Sequence, residues 1–344
     1  MEGASVARVP SQAEPAVDGV LIEIRNLRTE LRLRKKTVHA VNNLSLTIKP
    51  KETLGLVGES GSGKSMLALS IMRLLPSPFG TITAGEILFD GQDLASAKES
   101  AMRRIRGNRI SMVFQEPMTS LDPLFTIGSQ ITETIRAHRQ VSKDTARKAA
   151  IEMLERVRIP SPAERFDSYP HELSGGMRQR AMIAIALSLE PELLLADEPT
   201  TALDVTVQAQ ILALIAELQA EMRMGVLLIT HNLAVVGEVA DRVAVMYAGE
   251  IVETAPAQEL FDNPRHPYTQ GLLRSIPIVD RQREYLHMIP GRPPDLTREI
   301  VGCPFAPRCP YASRGKTDHP ELKPEPGNAA HEVRCWNPHP FDER

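Results

Sequence analysis

The chain has 344 residues, enough for one large domain with an addition or for two domains. Its apolar content of 42% is that of a globular protein, and its net charge of -3 argues against a nucleic-acid binder that works by bulk electrostatics. No apolar run approaches the roughly 20 residues that a membrane span needs. Residues 1–20 lack an apolar signal core and are predicted to be a disordered tail. The three cysteines all follow residue 300, which excludes a secreted disulfide framework and makes the cytosol the default expectation.

The first part of the chain predicts short strands. Two of them are expected at residues 20–24 and 44–48, and the basic stretch 32–36 between them is interpreted as a solvated hairpin tip. Another short strand is predicted at 86–89, because prolines and glycines frame it. Strands of this kind alternate with helices along much of the chain, which indicates a mostly parallel α/β sheet with helices on both faces.

The stretch Gly-Glu-Ser-Gly-Ser-Gly-Lys-Ser at 58–65 fits the phosphate-loop pattern at every fixed position. A buried strand is predicted before it at 52–57 and an apolar helix after it at 66–75. The glycines let successive N–H groups point at phosphate oxygens, and the helix N-terminus adds partial positive charge. Lys64 is predicted to reach the β- and γ-phosphates of a nucleotide, and Ser65 to ligate magnesium. The predicted phosphate-binding residues are Gly58, Ser60, Gly61, Ser62, Gly63, Lys64 and Ser65.

Polar side chains stand at the ends of three later strands. These strands are predicted at 109–115, 193–196 and 226–230. The first ends in Gln115, the second is followed by Asp197 and Glu198, and the third by His231. Helical periodicity lies between the strands, at 127–158, from the segment 173–180 to about 189, and at 211–218.

Ligands of open α/β sheets bind beyond the carboxyl ends of the strands, so these polar groups are predicted to converge on one nucleotide. Asp197 is the expected magnesium carboxylate, with Gln115 as a further magnesium ligand and catalytic residue. Glu198 is the expected general base, and His231 is expected to hydrogen-bond the γ-phosphate. Each assignment has a structural alternative, because an Asp-Glu pair after a strand is often a helix cap and a single histidine is often structural.

With these motifs in place, the chain resembles the nucleotide-binding subunits of ATP-binding-cassette (ABC) transporters. The motifs that carry the resemblance occur in family order: the phosphate loop, Gln115, LSGGM at 173–177, LLLADEP at 193–199, the turn 201–204 and His231. The resemblance implies an ABC-type phosphate-loop NTPase domain at 21–255 that binds ATP and Mg²⁺. Its parts would be a mostly parallel core, an N-terminal antiparallel β subdomain, and a helical subdomain at 116–175 that docks on membrane-spanning partners.

The resemblance also explains the LSGGM segment. In this family Ser174, Gly175 and Gly176 open a helix that faces the γ-phosphate held by a second nucleotide-binding subunit. Two subunits would therefore sandwich two ATP molecules. The turn 201–204 would lie at the dimer seam, where Asp204 couples the two sites.

Three further segments resemble the dipeptide/oligopeptide importers, at 263–273, 289–291 and 302–310. That resemblance implies a second, homologous ATP-binding subunit, two permeases and an extracytoplasmic binding protein, with this chain on the cytoplasmic face of the inner membrane. Relatives in the same group import nickel, glutathione or other small solutes, which is the alternative to peptides. Residues 256–344 hold 15 of the 27 prolines, so a loop-rich extension is predicted there.

The sequence departs from the family pattern where an aromatic ring would stack on adenine. The stretch 31–41 has no aromatic residue, which leaves Leu31, Val38 or His39 to pack there and predicts loose base selectivity.

A second departure concerns the cysteines of the extension. Importers of this group that bind an iron–sulfur cluster carry four cysteines, whereas this chain has Cys303, Cys309 and Cys335 and none near 315–316. An iron–sulfur cluster is expected by resemblance and zinc by ligand count, with His319 or His331 as a fourth ligand. The structural alternative is three small buried apolar side chains.

Other function classes fit less well. Cassette proteins of translation or DNA repair generally carry two cassettes or a long coiled coil, and this chain has one phosphate loop and no sustained heptads. An exporter subunit would not need the importer-like segments. A degenerate, inactive partner would lack some of the catalytic set, which is complete here.

Overall fold

A computed structural model describes residues 19–116, 120–201, 203–276, 288–312 and 317–341. Three sequence predictions therefore fall wholly or mostly outside the described residues. They concern the tail at 1–20, residue 202 of the seam turn, and the position near 315–316 where a fourth cysteine is expected.

The described residues contain twelve strands and ten α-helices. The strands are β1 (Ile22–Leu33), β2 (Lys36–Ile48), β3 (Thr53–Val57), β4 (Gly80–Phe89), β5 (Gln92–Asp93), β6 (Ile110–Val113), β7 (Leu193–Asp197), β8 (Gly225–Thr230), β9 (Arg242–Tyr247), β10 (Glu250–Pro256), β11 (Lys323–Glu325) and β12 (Asn328–Val333). The helices are α1 (Lys64–Met72), α2 (Glu99–Ile105), α3 (Ile127–His138), α4 (Lys143–Arg156), α5 (Pro162–Arg165), α6 (Gly175–Leu187), α7 (Val205–Met222), α8 (Leu233–Val239), α9 (Ala257–Asp262) and α10 (Pro267–Arg274).

A small antiparallel sheet in the order β2-β1-β4-β5 forms the N-terminal part. The strands predicted at 20–24 and 44–48 are the ends of the β1–β2 hairpin that lie farthest from its tip. Both strands are longer than predicted, because their tip halves alternate exposed charged residues with apolar ones and carry a weak apolar signal. The basic tip is a tight turn between Leu33 and Lys36, as the sequence predicts.

The second sheet has eight described strands in the order β11-β12-β10-β9-β3-β8-β7-β6. The five strands from β9 to β6 run parallel, and β10, β12 and β11 continue the sheet in antiparallel pairing. The parallel strands are almost wholly buried, which is why they are continuous apolar runs in the sequence. The prediction of a mostly parallel α/β core is confirmed, and the carboxyl ends of β3, β6, β7 and β8 meet at one edge.

The helix that follows the phosphate loop, α1, lies in the apolar core shared by the two sheets. Its Leu67 and Ile71 are fully buried in one cluster with Leu54 and Leu56 of β3. This packing fixes the start of α1, and therefore Lys64 and Ser65, against the edge of the parallel sheet.

A helical subdomain connects β6 to β7 and contains α3, α4, α5 and the start of α6. The helical pattern at 127–158 is interrupted at Arg139, and Ser142 begins the next helix by accepting a hydrogen bond from the backbone N–H of Thr145, 3.1 Å away. The inward faces of α3 and α4 share an apolar core with α6 and α7.

The segment after residue 255 extends the main sheet. Its strand β12 pairs antiparallel with β10, with Glu253 opposite Val333, and β11 pairs with β12. Two short helices, α9 and α10, and a turn of 3₁₀ helix at Ala306–Arg308 make up much of its remaining regular structure. None of the helices in the described ranges is apolar over a stretch long enough to cross a membrane.

Candidate ATP site

The phosphate loop folds around the side chain of Lys64. The buried ammonium donates hydrogen bonds to the carbonyl oxygens of Gly58 and Glu59, at 2.8 and 3.0 Å. Burial lowers the pKa of Lys64, while the nearby charges of Glu198 and Asp197 act in the opposite direction. The two carbonyl oxygens therefore hold the Lys64 ammonium inside the loop. The ammonium and the backbone N–H groups of such a loop both favour the binding of an anion.

Gly63 shows why the loop needs glycine at its end. Its φ of 108° is in a region that L side chains rarely adopt, and an added Cβ would lie 2.2 Å from the carbonyl oxygen of Ala40. The loop can therefore approach β2 closely only with glycine at this position.

Ser65 and Asp197 lie together at the edge of the sheet, as the sequence predicts. The Ser65 hydroxyl donates to the carboxylate of Asp197 at 3.0 Å, and Asp197 is buried at the end of β7. Burial raises the pKa of Asp197, and the Ser65 hydrogen bond acts against this. A hydroxyl and a carboxylate oxygen at this distance are ligands of the kind that Mg²⁺ prefers, so these residues fit a magnesium site.

Glu198 is the centre of a hydrogen-bonded group. Its Oε2 accepts from the Gln115 amide and the Thr201 hydroxyl, both at 2.9 Å, and its Oε1 lies 3.1 Å from Nδ1 of His231. Its backbone has a φ of 45°, and its N–H donates to the carbonyl oxygen of Ile229 on β8. The strained backbone turns this side chain from the sheet toward the other three, as expected at a functional site.

The surroundings of Glu198 favour its ionised form. Burial acts to raise its pKa, but the hydrogen bonds from His231 and Thr201, with the charges of His231 and Lys64, outweigh burial and lower the pKa. The carboxylate is thus ionised near neutral pH and can accept a proton. It belongs to the same edge of the sheet as Asp197, and the structure brings together all four strand-end residues named from the sequence.

Sequence reasoning placed Thr201 in the seam turn and missed its contact with Glu198. The backbone N–H of Thr201 donates to the carbonyl oxygen of Glu198 at 3.2 Å, so the two residues belong to one tight turn. The three-residue spacing is the signal that could have identified this contact, because it brings a hydroxyl back to the residue that begins the turn.

The LSGGM segment has the predicted helix start. Ser174 caps α6 by accepting from the backbone N–H of Met177 at 3.3 Å, and both Ser174 and Gly175 are exposed. Asp204 is also exposed and caps α7, accepting from the N–H of Val207 at 3.0 Å. The two helix N-termini are neighbours, since a Cβ added to Gly176 would lie 3.1 Å from the Val207 side chain.

The region expected to contact adenine has no aromatic ring in the described structure of β1 and β2. Leu31 pairs with Val38 across the hairpin, and both are half-buried. The ring of His39 lies 3.4 Å from the carboxylate of Glu30. The backbone N–H of His39 donates to the carbonyl oxygen of Leu296 in the extension, at 2.9 Å.

The described residues give no evidence for an iron–sulfur cluster or a zinc site at the three cysteines. Cys303, Cys309 and Cys335 are free thiols, and no group of three or more metal-ligating side chains occurs in the part of the chain that the structure describes. Burial raises the pKa of all three thiols, that of Cys335 to about 12, and the neighbouring thiols Cys303 and Cys309 add to the rise at Cys335.

The two histidines considered as a fourth ligand have other partners. Nε2 of His319 lies 3.0 Å from Glu250, and Nε2 of His331 lies 2.7 Å from Glu253. The donor geometry of the described residues thus gives no support to a cluster or a zinc site.

Comparisons with known proteins agree with this geometry. The ABC transporter family matches residues 41–201, and the C-terminal region of oligopeptide/dipeptide transporters matches residues 252–315. A Brucella melitensis protein named for peptide import and ATP binding is 57% identical over 303 residues, which cover 85% of this chain and 90% of that protein. The oligopeptide transport ATP-binding protein OppD of Bacillus subtilis is 49% identical over 322 residues, covering 93% of this chain and 89% of OppD.

Two solved structures share the fold of the ATP site. The ATP-binding cassette MJ0796, a dimer bound to ADP and Pi, is 28% identical with a TM-score of 0.62, over 69% of this chain and 98% of that one. The cbiO1 protein of Clostridium perfringens, part of the transporter complex cbiONQ, is 26% identical with a TM-score of 0.60, over 71% and 91% of the two chains. Fold and site together therefore define an ATPase of the ABC cassette class.

The relatives from Brucella melitensis and Bacillus subtilis narrow this class, because their similarity to this chain continues past the cassette into the extension. The chain belongs to the ABC transporter family, among the ATP-binding proteins of its oligopeptide/dipeptide branch.

Proposed function

We propose that this chain hydrolyses ATP to power the import of di- and oligopeptides. One observation carries the proposal: an ATP site with a complete set of catalytic side chains is continuous with an extension of the oligopeptide/dipeptide type at 252–315. The extension distinguishes this reading from a general transport ATPase. The presence of Glu198 in contact with Gln115 and His231 supports an active subunit over an inactive one.

In the proposed mechanism, Lys64 and the loop N–H groups hold the ATP phosphates. Ser65 and Asp197 would hold Mg²⁺, which neutralises phosphate charge when bound. Glu198 accepts a proton from the attacking water, and Gln115 and His231 orient its carboxylate. His231 would also hydrogen-bond the γ-phosphate.

The second half of the proposed site comes from a homologous ATP-binding subunit. The exposed N-terminus of α6 at Ser174, Gly175 and Gly176 suits a γ-phosphate on that partner, because the N–H groups and the partial positive charge of a helix start favour anions. Asp204, beside this helix start, would transmit the state of one ATP site to the other. Closure of the dimer on ATP would then move two permease subunits, with the chain bound to the cytoplasmic face of the inner membrane and an extracytoplasmic protein delivering the solute.

The catalytic part is tested by Glu198→Gln in the complex purified from membranes. Turnover should fall by about a hundred-fold or more, the usual size of a general-base effect, while ATP binding is kept and the ATP-bound dimer accumulates. Glu192→Gln is the matched control. It makes the same charge change at the residue before β7, where Glu192 pairs with Arg109 at the opposite end of the strand, and it should leave turnover unchanged. Near-normal hydrolysis in Glu198→Gln would reject the general-base role.

The transported solute is tested in the same preparation. Co-purified partners are identified by mass spectrometry, and ATP hydrolysis is measured with di- and oligopeptides, Ni²⁺ or glutathione added with the binding protein. Stimulation by peptides alone supports peptide import. Stimulation by Ni²⁺ or glutathione and not by peptides would leave the ATPase assignment standing and replace the solute.

A further inference from the structure

The second residue of the phosphate loop, Glu59, is held by two residues of the extension. Its backbone N–H donates to the hydroxyl of Tyr268 at 2.8 Å. Its two carboxylate oxygens accept from the guanidinium of Arg308 at 2.7 and 2.9 Å, a bidentate pair. Its carbonyl oxygen accepts from Lys64 at 3.0 Å. Three polar groups of Glu59 therefore have fixed partners. Two of these partners, Tyr268 and Arg308, lie more than 200 positions away in the sequence.

Arg308 is held in place by the extension. Its side chain is only 4% exposed, and it also donates to the carbonyl oxygens of Pro290 and Ile289, at 3.0 and 3.3 Å. Such a fork is a geometry that lysine or glutamine would not reproduce. Arg308 ends the 3₁₀ turn that begins at Ala306, so its position depends on the fold of the extension.

Packing against other aromatic rings holds the side chain of Tyr268 in place. Its side chain is fully buried, and its ring lies 4.6 Å from that of Tyr247 and 5.5 Å from that of Phe305, centre to centre. Its backbone N–H donates to Nδ1 of His266, at 3.0 Å. Burial, with a smaller contribution from Arg334, lowers the pKa of His266 to about 3, so this ring stays neutral and keeps its acceptor nitrogen. The phenol oxygen thus has little freedom to move away from Glu59.

A second part of the extension lies beside the same loop. Pro293, Pro294 and Leu296 line a small cleft whose other wall includes the loop residues 59–62. The hydrogen bond from the backbone N–H of His39 to the carbonyl oxygen of Leu296 attaches residues 293–296 to β2. The extension therefore borders the loop in addition to contacting Glu59.

We propose that the extension is a structural part of the ATP site, and that Arg308 and Tyr268 are positioning residues that act on ATP through Glu59. Their contact with the loop is through Glu59. Fixing Glu59 fixes the direction of the loop N–H groups and of Lys64, so ATP binds a preorganised loop. Binding is reciprocal, so ATP should in turn stabilise the extension. This inference rests on the proposed function, because it requires that the loop bind ATP.

The test measures the affinity of the full-length chain for Mg²⁺ and a fluorescent ATP analogue. Arg308→Gln and Glu59→Gln should each weaken binding by about ten-fold, and the double variant should be no weaker than either single one, because the two changes remove the same contact. Tyr268→Phe removes only the phenol acceptor and should weaken binding by a smaller factor. In the assembled complex these variants should raise KM for ATP more than they lower kcat, since none of them contacts the reacting atoms.

Arg265→Gln is the control, because it breaks another Arg–Glu pair of the extension, with Glu325 at 3.1 Å, away from the loop. It should keep the affinity for ATP. Trp336, the only tryptophan, reports on the folding of the extension in each variant. If Arg308→Gln fails to fold, Glu59→Gln and Tyr268→Phe carry the test, since both leave Arg308 in place.

Unchanged ATP affinity in folded Glu59→Gln and Arg308→Gln would overturn the inference, as would additive losses or an equal loss in Arg265→Gln. Either of the latter would mean that the extension affects the site only through general stability. A wild-type chain that binds no ATP would overturn the proposed function itself, and this inference with it.

Discussion

His331 provides a test of what holds the extension to the main sheet. Its ring lies on β12, 1% exposed, with Nε2 at 2.7 Å from Glu253 on β10 and Nδ1 at 3.4 Å from Glu259. Burial opposes its positive charge, but the hydrogen bonds with Glu253 and Glu259 outweigh burial and raise the pKa of His331. His331 and Glu253 therefore form a buried pair in which the charged form of the ring is favoured more than it is in water, and this role differs from that of a metal ligand.

Replacing it by alanine should destabilise the extension strongly. Breaking a buried pair by removing one partner costs about 3–5 kcal/mol, because the remaining charge is buried without compensation. Glu253 keeps two backbone donors, the N–H groups of Arg265 and His266 at 2.6 and 3.0 Å. These donors place the expected loss for His331→Ala near the lower limit, about 3 kcal/mol.

The assay is urea unfolding followed by the fluorescence of Trp336, whose indole N–H donates to the carbonyl oxygen of Asp318 inside the extension. His319→Ala is the control, because His319 pairs with Glu250 but is 39% exposed. That pair should contribute about 1 kcal/mol or less.

The contribution of His331 to the free energy of unfolding should depend on pH in a definite direction. The folded pKa of His331 is raised above its ordinary value of 6.5, so the charge on His331 stabilises fully below that value and its contribution is lost as pH rises through the folded pKa. The difference between wild type and His331→Ala should therefore be larger at acidic than at alkaline pH. A difference that is absent, or that is as large at alkaline as at acidic pH, would refute the buried-pair reasoning. Loss of bound metal on substitution would instead restore the ligand hypothesis.

Two further predictions concern the ATP site. Thr201→Val removes a hydrogen bond that lowers the pKa of Glu198. The acid limb of the ATPase pH profile, measured in the complex, should therefore move to higher pH. An acid limb at the same pH as in the wild type would mean that Thr201 does not affect the pKa of this carboxylate. Ser174→Arg should leave photolabelling of this chain by an ATP analogue intact and disable the site on the partner, whereas Lys64→Ala should weaken labelling here. Loss of labelling of this chain alone in Ser174→Arg would contradict the two-subunit site.

Much of the ATP site could be predicted from the sequence, because its parts are local patterns. The phosphate loop is contiguous, and the strands before Asp197 and His231 are buried on both faces and read as apolar runs. Parallel strands that share one edge then bring their end residues together without knowledge of any single distance. The contacts of Gln115 and of His231 with Glu198 arise in this way, because each residue follows a parallel strand.

The strands of the extension, β11 and β12, could not be placed from the sequence. The pairing of β12 with β10 joins segments about 80 positions apart, and short strands in a proline-rich segment have no apolar run of their own to reveal them. The cysteines lie close together in sequence, which indicated a metal centre, whereas the carboxylates that contact the nearby histidines come from elsewhere in the fold and could not be read from that pattern.

The sequence by itself determined the class of chemistry, because glycines, a lysine and strand-end carboxylates must occur at fixed spacings to bind and cleave a nucleotide. Only the tertiary structure decided what surrounds that chemistry. The contact between Arg308 and Glu59 links positions 249 residues apart, and although Arg308 lies in the importer-like segment 302–310, nothing in that local pattern indicates that its partner is Glu59. A bidentate ion pair depends on the three-dimensional approach of two side chains, which the packing of the extension against the loop alone provides.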